Sequence, residues 1–187
     1  MYQRVLRDEK FLAFLAEVDA DLASTTRAGG CPACGGVLDS ASFPRKPRAL
    51  GELGDDYARR ISFCCRVEGC RRRRTPPSVR FLGRKVYIAA VVVLAAAMQH
   101  GPTARRVAEL QALLGIGRRT LARWQRWWRE IFAASPSWRA TRALVGAPGI
   151  ETTTFPLSLL ERFDGDEHAR VLGLLRFIAP VIAESGF

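Results

Sequence analysis

The sequence predicts an α+β protein, mostly α, in which a small β ribbon is inserted between an N-terminal helix and a helix-turn-helix helical domain. Three observations predict it. Four of the five cysteines fall in two close pairs, Cys31-Pro32-Ala33-Cys34 and Cys65-Arg66-Val67-Glu68-Gly69-Cys70, with 30 residues between the pairs. Turn residues and short alternating stretches surround those pairs, whereas helical periodicity precedes and follows them. The net charge of +11 is concentrated in the middle of the chain. On this reading residues 1–27 are an amphipathic helix and 28–80 the ribbon. Residues 81–135 are the helical domain, and 136–187 an acidic helical segment.

With 187 residues, 48% hydrophobic and 25% charged, the chain has the composition of a globular protein. Residues 45–85 carry 13 basic against 4 acidic side chains, and residues 101–142 carry 9 against 2. Both flanks are slightly acidic. A polyanion should therefore meet the middle of the chain. The basic residues are nearly all arginine, the only lysines being Lys10, Lys46 and Lys85. A GC-rich genome would raise that ratio, but not cluster the charge. The start, Met1-Tyr2-Gln3-Arg4, does not read as a signal peptide. The uncharged run from Val86 to Met98 falls short of the roughly 20 residues that span a bilayer. It is expected to be a buried core helix. The expected location is the cytoplasm, and the nucleoid when bound to DNA.

Phe11, Leu15, Val18 and Leu22 recur at helical spacing, which predicts a helix from Val5 to Leu22, ended by Ala28-Gly29-Gly30. Short strands and loops should follow from Val37 to Arg60, with Phe43 to Arg48 as an extended basic loop. Ile61 to Cys65 alternates and should enter the second cysteine pair as a strand. Arg71 to Arg74 should leave it as another. Beyond Thr75-Pro76-Pro77-Ser78, helices are expected at about 84–99, 103–114 (with Thr103 as N-cap) and 118–132. Two short helices should then occupy about 156–184, separated near Gly165.

Cysteines two to four residues apart grip one side of a metal ion from a tight turn, and two such pairs close a tetrahedron. In a chain without an export signal this points to one structural Zn2+ and not to disulfides. The ligands are Cys31, Cys34, Cys70 and, for the third position, Cys65 in preference to Cys64. Cys65 has the spacing that ends in Glu-Gly-Cys. Cys64 should point the other way as a small buried hydrophobe. Free buried cysteines and a redox-active pair are the alternatives, though the flanking glycines give no βαβ context for the latter.

Val107, Leu110 and Leu114, the turn Gly115-Ile116-Gly117, and the face Leu121, Trp124, Trp128 and Ile131 have the pattern of a helix-turn-helix. Arg118, Arg119, Thr120, Arg123, Arg126 and Arg129 would lie on the outer face of its second helix, the first of them reaching base edges and the last two phosphates. A solvated basic helix is the plainer reading. Arg71, Arg72, Arg73 and Arg74, with Arg80, Arg84 and Lys85, form a second candidate contact, extended by Arg45, Lys46 and Arg48. Trp127 adjoins the apolar face, and packing is favoured over base stacking.

The order of Cys-Pro-x-Cys-Gly, a Phe-x-Cys with a second cysteine and a basic tail, Arg-Thr-Pro-Pro-Ser, an apolar helix and a helix-turn-helix resembles the N-terminal region of zinc-ribbon transposases of bacterial insertion sequences. The resemblance covers about residues 28–132. It implies double-stranded DNA as partner, and a transposase or another protein subunit beside it. In that family a downstream RNase H-like domain cuts the DNA. Only 55 residues follow Phe132, too few for such a domain, and Glu151, Glu161, Asp164, Asp166, Glu167 and Glu184 lack the spacing of a two-metal site. His100 and His168 stand alone. The expectation is a DNA-binding accessory or truncated transposase that is not an enzyme. A transcriptional regulator and a zinc-ribbon protein-interaction module are the alternatives.

Overall fold

The structure, a computed structural model, describes residues 5, 8–45, 54–82, 87–97, 104–146 and 149–185. Lys46, Arg48, Arg84, Lys85, His100 and Thr103 lie outside the described residues. Most of the described chain is helical, with a small antiparallel sheet. Its contacts form two compact units, residues 8–88 with 176–187, and residues 89–175 with 1–7.

The first unit begins with α1 (Glu9–Ala28). Asp8 caps it, its carboxylate accepting from the backbone N–H of Lys10 at 3.0 Å and of Phe11 at 3.1 Å. Phe11, Leu15 and Val18 are buried as the periodicity predicts, and Leu22 is half-buried. The buried face also holds Leu12, Ala23 and, unexpectedly, Asp19. After α1 come β1 (Leu38–Ser40), β2 (Phe43–Pro44), the one-turn α2 (Asp55–Ala58), β3 (Arg59–Arg60), β4 (Phe63–Cys65) and β5 (Arg73–Arg74). β4 is the centre of an antiparallel sheet ordered β1-β4-β5, and β2 pairs separately with β3. Leu38 stands opposite Cys65, and Phe63 opposite Arg74. The pleat buries Phe63 and Cys65 and turns Cys64 to the other side. Ala23, Cys31, Leu38, Phe63 and Cys65 pack into one small core. Strands of two or three residues cannot hold a sheet in water unaided.

Charge that looked superficial in the sequence ties this unit together. Asp19, only 1% exposed, accepts from the Ser78 hydroxyl at 2.5 Å, the Val79 N–H at 2.7 Å and the Arg80 Nε at 2.8 Å. Arg80 donates its other two nitrogens to the carbonyls of Tyr57 and Arg59. Arg80 is therefore no surface contact, which corrects the sequence reading. A buried guanidinium is tolerable where its planar fork meets a carboxylate and two carbonyls. Arg60 is buried as well, donating to the Pro76 carbonyl. Burial draws its guanidinium down to about 10.

In the second unit, α3 (Ala89–Ala96) is buried all round, as its uncharged sequence predicts. It packs against α5 (Arg118–Arg126). α4 (Ala104–Leu114) leads into α5 through Gly115-Ile116-Gly117, where Ile116 is buried. The expected helix 118–132 changes character at Trp127. Trp127–Phe132 is a π-helical turn, and Ser135 then caps α6 (Pro136–Thr141). The wider turn rotates the inward face by part of a residue. Leu121, Trp124 and Trp128 are core as expected, but Ile131 is 58% exposed and Phe132 takes its place at 1%. Short 3-10 turns at Arg142–Val145 and Thr152–Thr154 precede α7 (Leu157–Leu160). The second of the two short C-terminal helices expected is in fact long. α8 (Glu167–Ser185) has 19 residues, of which those as far as Leu175 belong to this unit, and Gly165 lies just before it.

Candidate metal centre and arginine surfaces

Each cysteine pair is shaped by its own backbone. In the first, the Cys31 N–H donates to the Gly36 carbonyl at 2.9 Å, and the Gly35 N–H to the Cys31 carbonyl at 2.7 Å. Gly35 turns the chain with φ +71 directly after Cys34. At Gly36 a Cβ would lie 2.5 Å from Val67 Cγ2 and 3.2 Å from the Cys65 sulfur, so any larger residue would have to push the two pairs or Val67 aside. In the second, the N–H groups of Cys70 and Arg71 both donate to the Val67 carbonyl, at 3.1 and 3.2 Å. Arg71, directly after Cys70, repeats the left-handed turn of Gly35, with φ 43. The two pairs are thus the same knuckle built twice.

These knuckles bring the sulfurs of Cys31, Cys34, Cys65 and Cys70 within 4.8 Å of one another. Cys31 and Cys70 are 3.7 Å apart, and Cys34 and Cys65 3.5 Å apart. A tetrahedral site with metal–sulfur bonds of about 2.3 Å has sulfur–sulfur edges of about 3.8 Å. A disulfide would need about 2.05 Å, and all five cysteines are free thiols. The four cysteines can therefore coordinate one metal ion. Backbone donors already face the sulfurs. The N–H of Ala33 draws the Cys31 thiol down to about 7, while burial pushes the Cys65 thiol up to about 12. A bound cation deprotonates thiols outright, whatever their starting point.

The pleat decides which of the two adjacent cysteines joins the cluster. Cys65 is in the cluster. Cys64 is not, and its thiol donates to the Arg71 carbonyl at 3.4 Å. Cys64 is only half-buried, which corrects the expectation of a buried hydrophobe. Its cross-strand neighbours are Asp39 on β1 and Arg73 on β5, charged side chains that supply no apolar layer.

The arginines divide into free and engaged. Arg71, Arg72, Arg73 and Arg74 are all exposed beside the four-cysteine cluster, with Arg73 lying over the Phe43 ring at 5.8 Å. Arg66, between the ligands, is held by Asp39 through two bonds of 3.0 and 2.7 Å. The Arg66 guanidinium keeps the Asp39 carboxyl below the usual carboxylate range. On α5, Arg118, Arg119 and Arg123 are exposed. Arg126 is exposed but paired with Glu130 at 2.7 Å. Thr120 and Arg129 are half-buried, and the Arg129 Nε is shut away from water. Trp127 is half-buried and lies edge-on to Trp128, ring centroids 5.0 Å apart, within its own turn of helix.

The Asp19–Ser78–Arg80 network is the arrangement that the sequence reading missed. Its one signal is positional. Asp19 stands four residues after Leu15 and eight after Phe11, an acid on an apolar stripe. Among the described residues no helix is long and apolar enough to cross a membrane. No protein-family model, curated protein or solved structure matches the chain.

Proposed function

We propose that this chain is a zinc-stapled protein that binds duplex DNA without cutting it, in the setting of a mobile element as an accessory or truncated transposase. Zinc is the metal because four soft thiolates in a tetrahedron, with no fifth group in the cluster among the described residues, suit a closed structural zinc site. Cys31, Cys34, Cys65 and Cys70 hold the ion, and it supplies folding energy and no chemistry. The single observation that carries the reading is the run Arg71–Arg74, four exposed arginines directly after the last cysteine of the four-cysteine cluster. Four adjacent like charges repel one another and stabilise nothing in isolation. A phosphate backbone relieves that repulsion and releases counterions.

Support from the second unit comes from the helix–turn–helix sequence of α4 and α5 and from the exposed Arg118, Arg119 and Arg123 at the start of α5. Those arginines would approach base edges in a major groove, each well-placed pair with guanine giving about 1–3 kcal/mol of discrimination. The mobile-element setting rests on the resemblance of residues 28–132 to zinc-ribbon transposases. Selection from a random duplex library by the zinc-loaded protein tests the reading. An enriched motif is expected, and it should be lost in an Arg118/Arg119/Arg123 triple alanine variant. The selected duplex should stay intact in the presence of Mg2+. Undetectable duplex binding at moderate salt would sink the proposal, as would unchanged binding by the triple variant.

A further inference from the structure

Beside the metal cluster the surface is concave. Cys31, Pro32 and Ala33 of the first knuckle form one wall of a cleft of about 270 Å3, and Arg72, Arg73 and Arg74 form the other. We propose that this cleft is a nucleotide subsite that takes one unpaired nucleotide of a DNA strand, its phosphate on the arginines and its base against Pro32 and Ala33. The proposal deepens the DNA-binding reading above and rests on it.

Three features of the cleft favour an unpaired strand over a duplex. The first is shape. A duplex presents a convex rod with its bases turned inward, so it could touch only the rim of so small a hollow. A single strand can splay one base into it. Its volume lies near the lower end of small-ligand sites, about 300–1,000 Å3. The second is the chemistry of the walls. Pro32 and Ala33 are exposed and uncharged, a surface for a base face. The opposite wall carries guanidiniums, which pair with phosphate and also stack on bases. The third is preorganisation. Cys31 is fixed by the metal cluster and by its bond to Gly36. Arg73 is held with its guanidinium carbon 5.8 Å from the centre of the Phe43 ring. β5 is an edge strand, paired on one side by β4. The Cys31 backbone and the Arg73 side chain are thus partly ordered before binding, which lowers the cost of ordering them.

The test uses the full chain loaded with zinc and three fluorescent probes of one sequence: a blunt duplex, the same duplex with a short oligothymidine overhang, and the overhang strand alone. The tailed duplex should bind about tenfold more tightly than the blunt one, the range expected for stacking one base. An Arg72→Lys/Arg74→Lys variant keeps the charge but not the planar guanidinium. It should retain its zinc, and its ratio of tailed-duplex to blunt-duplex affinity should fall to about one, whatever the change in duplex binding itself. Equal binding of tailed and blunt duplexes overturns the subsite and leaves the duplex reading standing. Binding of the overhang strand without binding of the blunt duplex supports the subsite and overturns the duplex reading. Competition by polyglutamate as strong as by oligothymidine would overturn it in favour of an acidic protein partner. If no probe binds, both readings fall.

Discussion

Cys64 and Cys65 are adjacent in the chain, and the pleat of β4 gives them opposite roles. Cys65 Sγ lies 3.5 Å from Cys34 Sγ, whereas the Cys64 thiol reaches backbone carbonyls, those of Arg71 and Cys65. A Cys64→Ser variant should therefore bind one equivalent of metal and melt within about 0.5 kcal/mol of the parent, as surface changes do. Cys65→Ser should lose the metal and the ribbon fold with it. Metal stoichiometry by atomic emission, with urea melts, separates the two. The Arg71 backbone gives a second residue-level expectation. Its φ of 43 matches the turn that Gly35 makes in the first knuckle, and a left-handed residue other than glycine costs about 1–2 kcal/mol. Arg71→Gly should raise stability by roughly 1 kcal/mol after the entropy of the freer unfolded chain is counted. It should also lower the salt slope of DNA binding by about one unit if Arg71 meets a phosphate. A variant that is less stable than the parent would show that the Arg71 side chain, not its backbone, is what matters there.

At the scale of elements, legibility followed periodicity. The stripe of α1, the uniform apolarity of α3 and the cysteine spacing each bear on neighbours a few residues away, and the structure has all three. What escaped were features set by distant partners. Arg80 reads as one more cation in a basic stretch until Asp19, 61 residues earlier, is placed beside it. Ile131 and Phe132 are equally apolar, and only the π-helical turn decides which faces inward. The energetic consequence is large. Phe132 stacks on Trp128, Trp138 and Phe155, with ring centroids 5.1 to 5.8 Å apart. Phe132→Ala should cost about 3–5 kcal/mol, the usual range for a buried aromatic. Ile131→Ala should cost no more than about 0.5 kcal/mol. Denaturant melts of the two variants check it, and equal losses would mean that the helix runs through in α-helical phase. Removing Asp19 by Asp19→Ala should cost about 3–5 kcal/mol, because it strands the Arg80 charge in the interior.

For the whole molecule, the position of the four-cysteine cluster predicts which half of the chain would depend on a bound metal. All four cysteines of the cluster lie in the unit built from residues 8–88, whose sheet has strands of only two or three residues. All four tryptophans, Trp124, Trp127, Trp128 and Trp138, lie in the other unit. There Trp124, Trp128 and Trp138 are buried in a core of helices and aromatic rings that contains no metal ligand. A structural zinc ion contributes about 10–16 kcal/mol at neutral pH in small zinc domains. That is comparable with the whole stability of an ordinary domain, about 5–15 kcal/mol. A strong chelator should therefore unfold the ribbon unit, making its cysteines reactive to a thiol reagent and lowering the β signal in circular dichroism. The tryptophan emission should keep its buried, blue-shifted maximum. Readdition of zinc should reverse the thiol exposure. Were the emission to shift red together with thiol exposure, the two units would be one cooperative structure, and the zinc would be holding the helical unit as well as the ribbon.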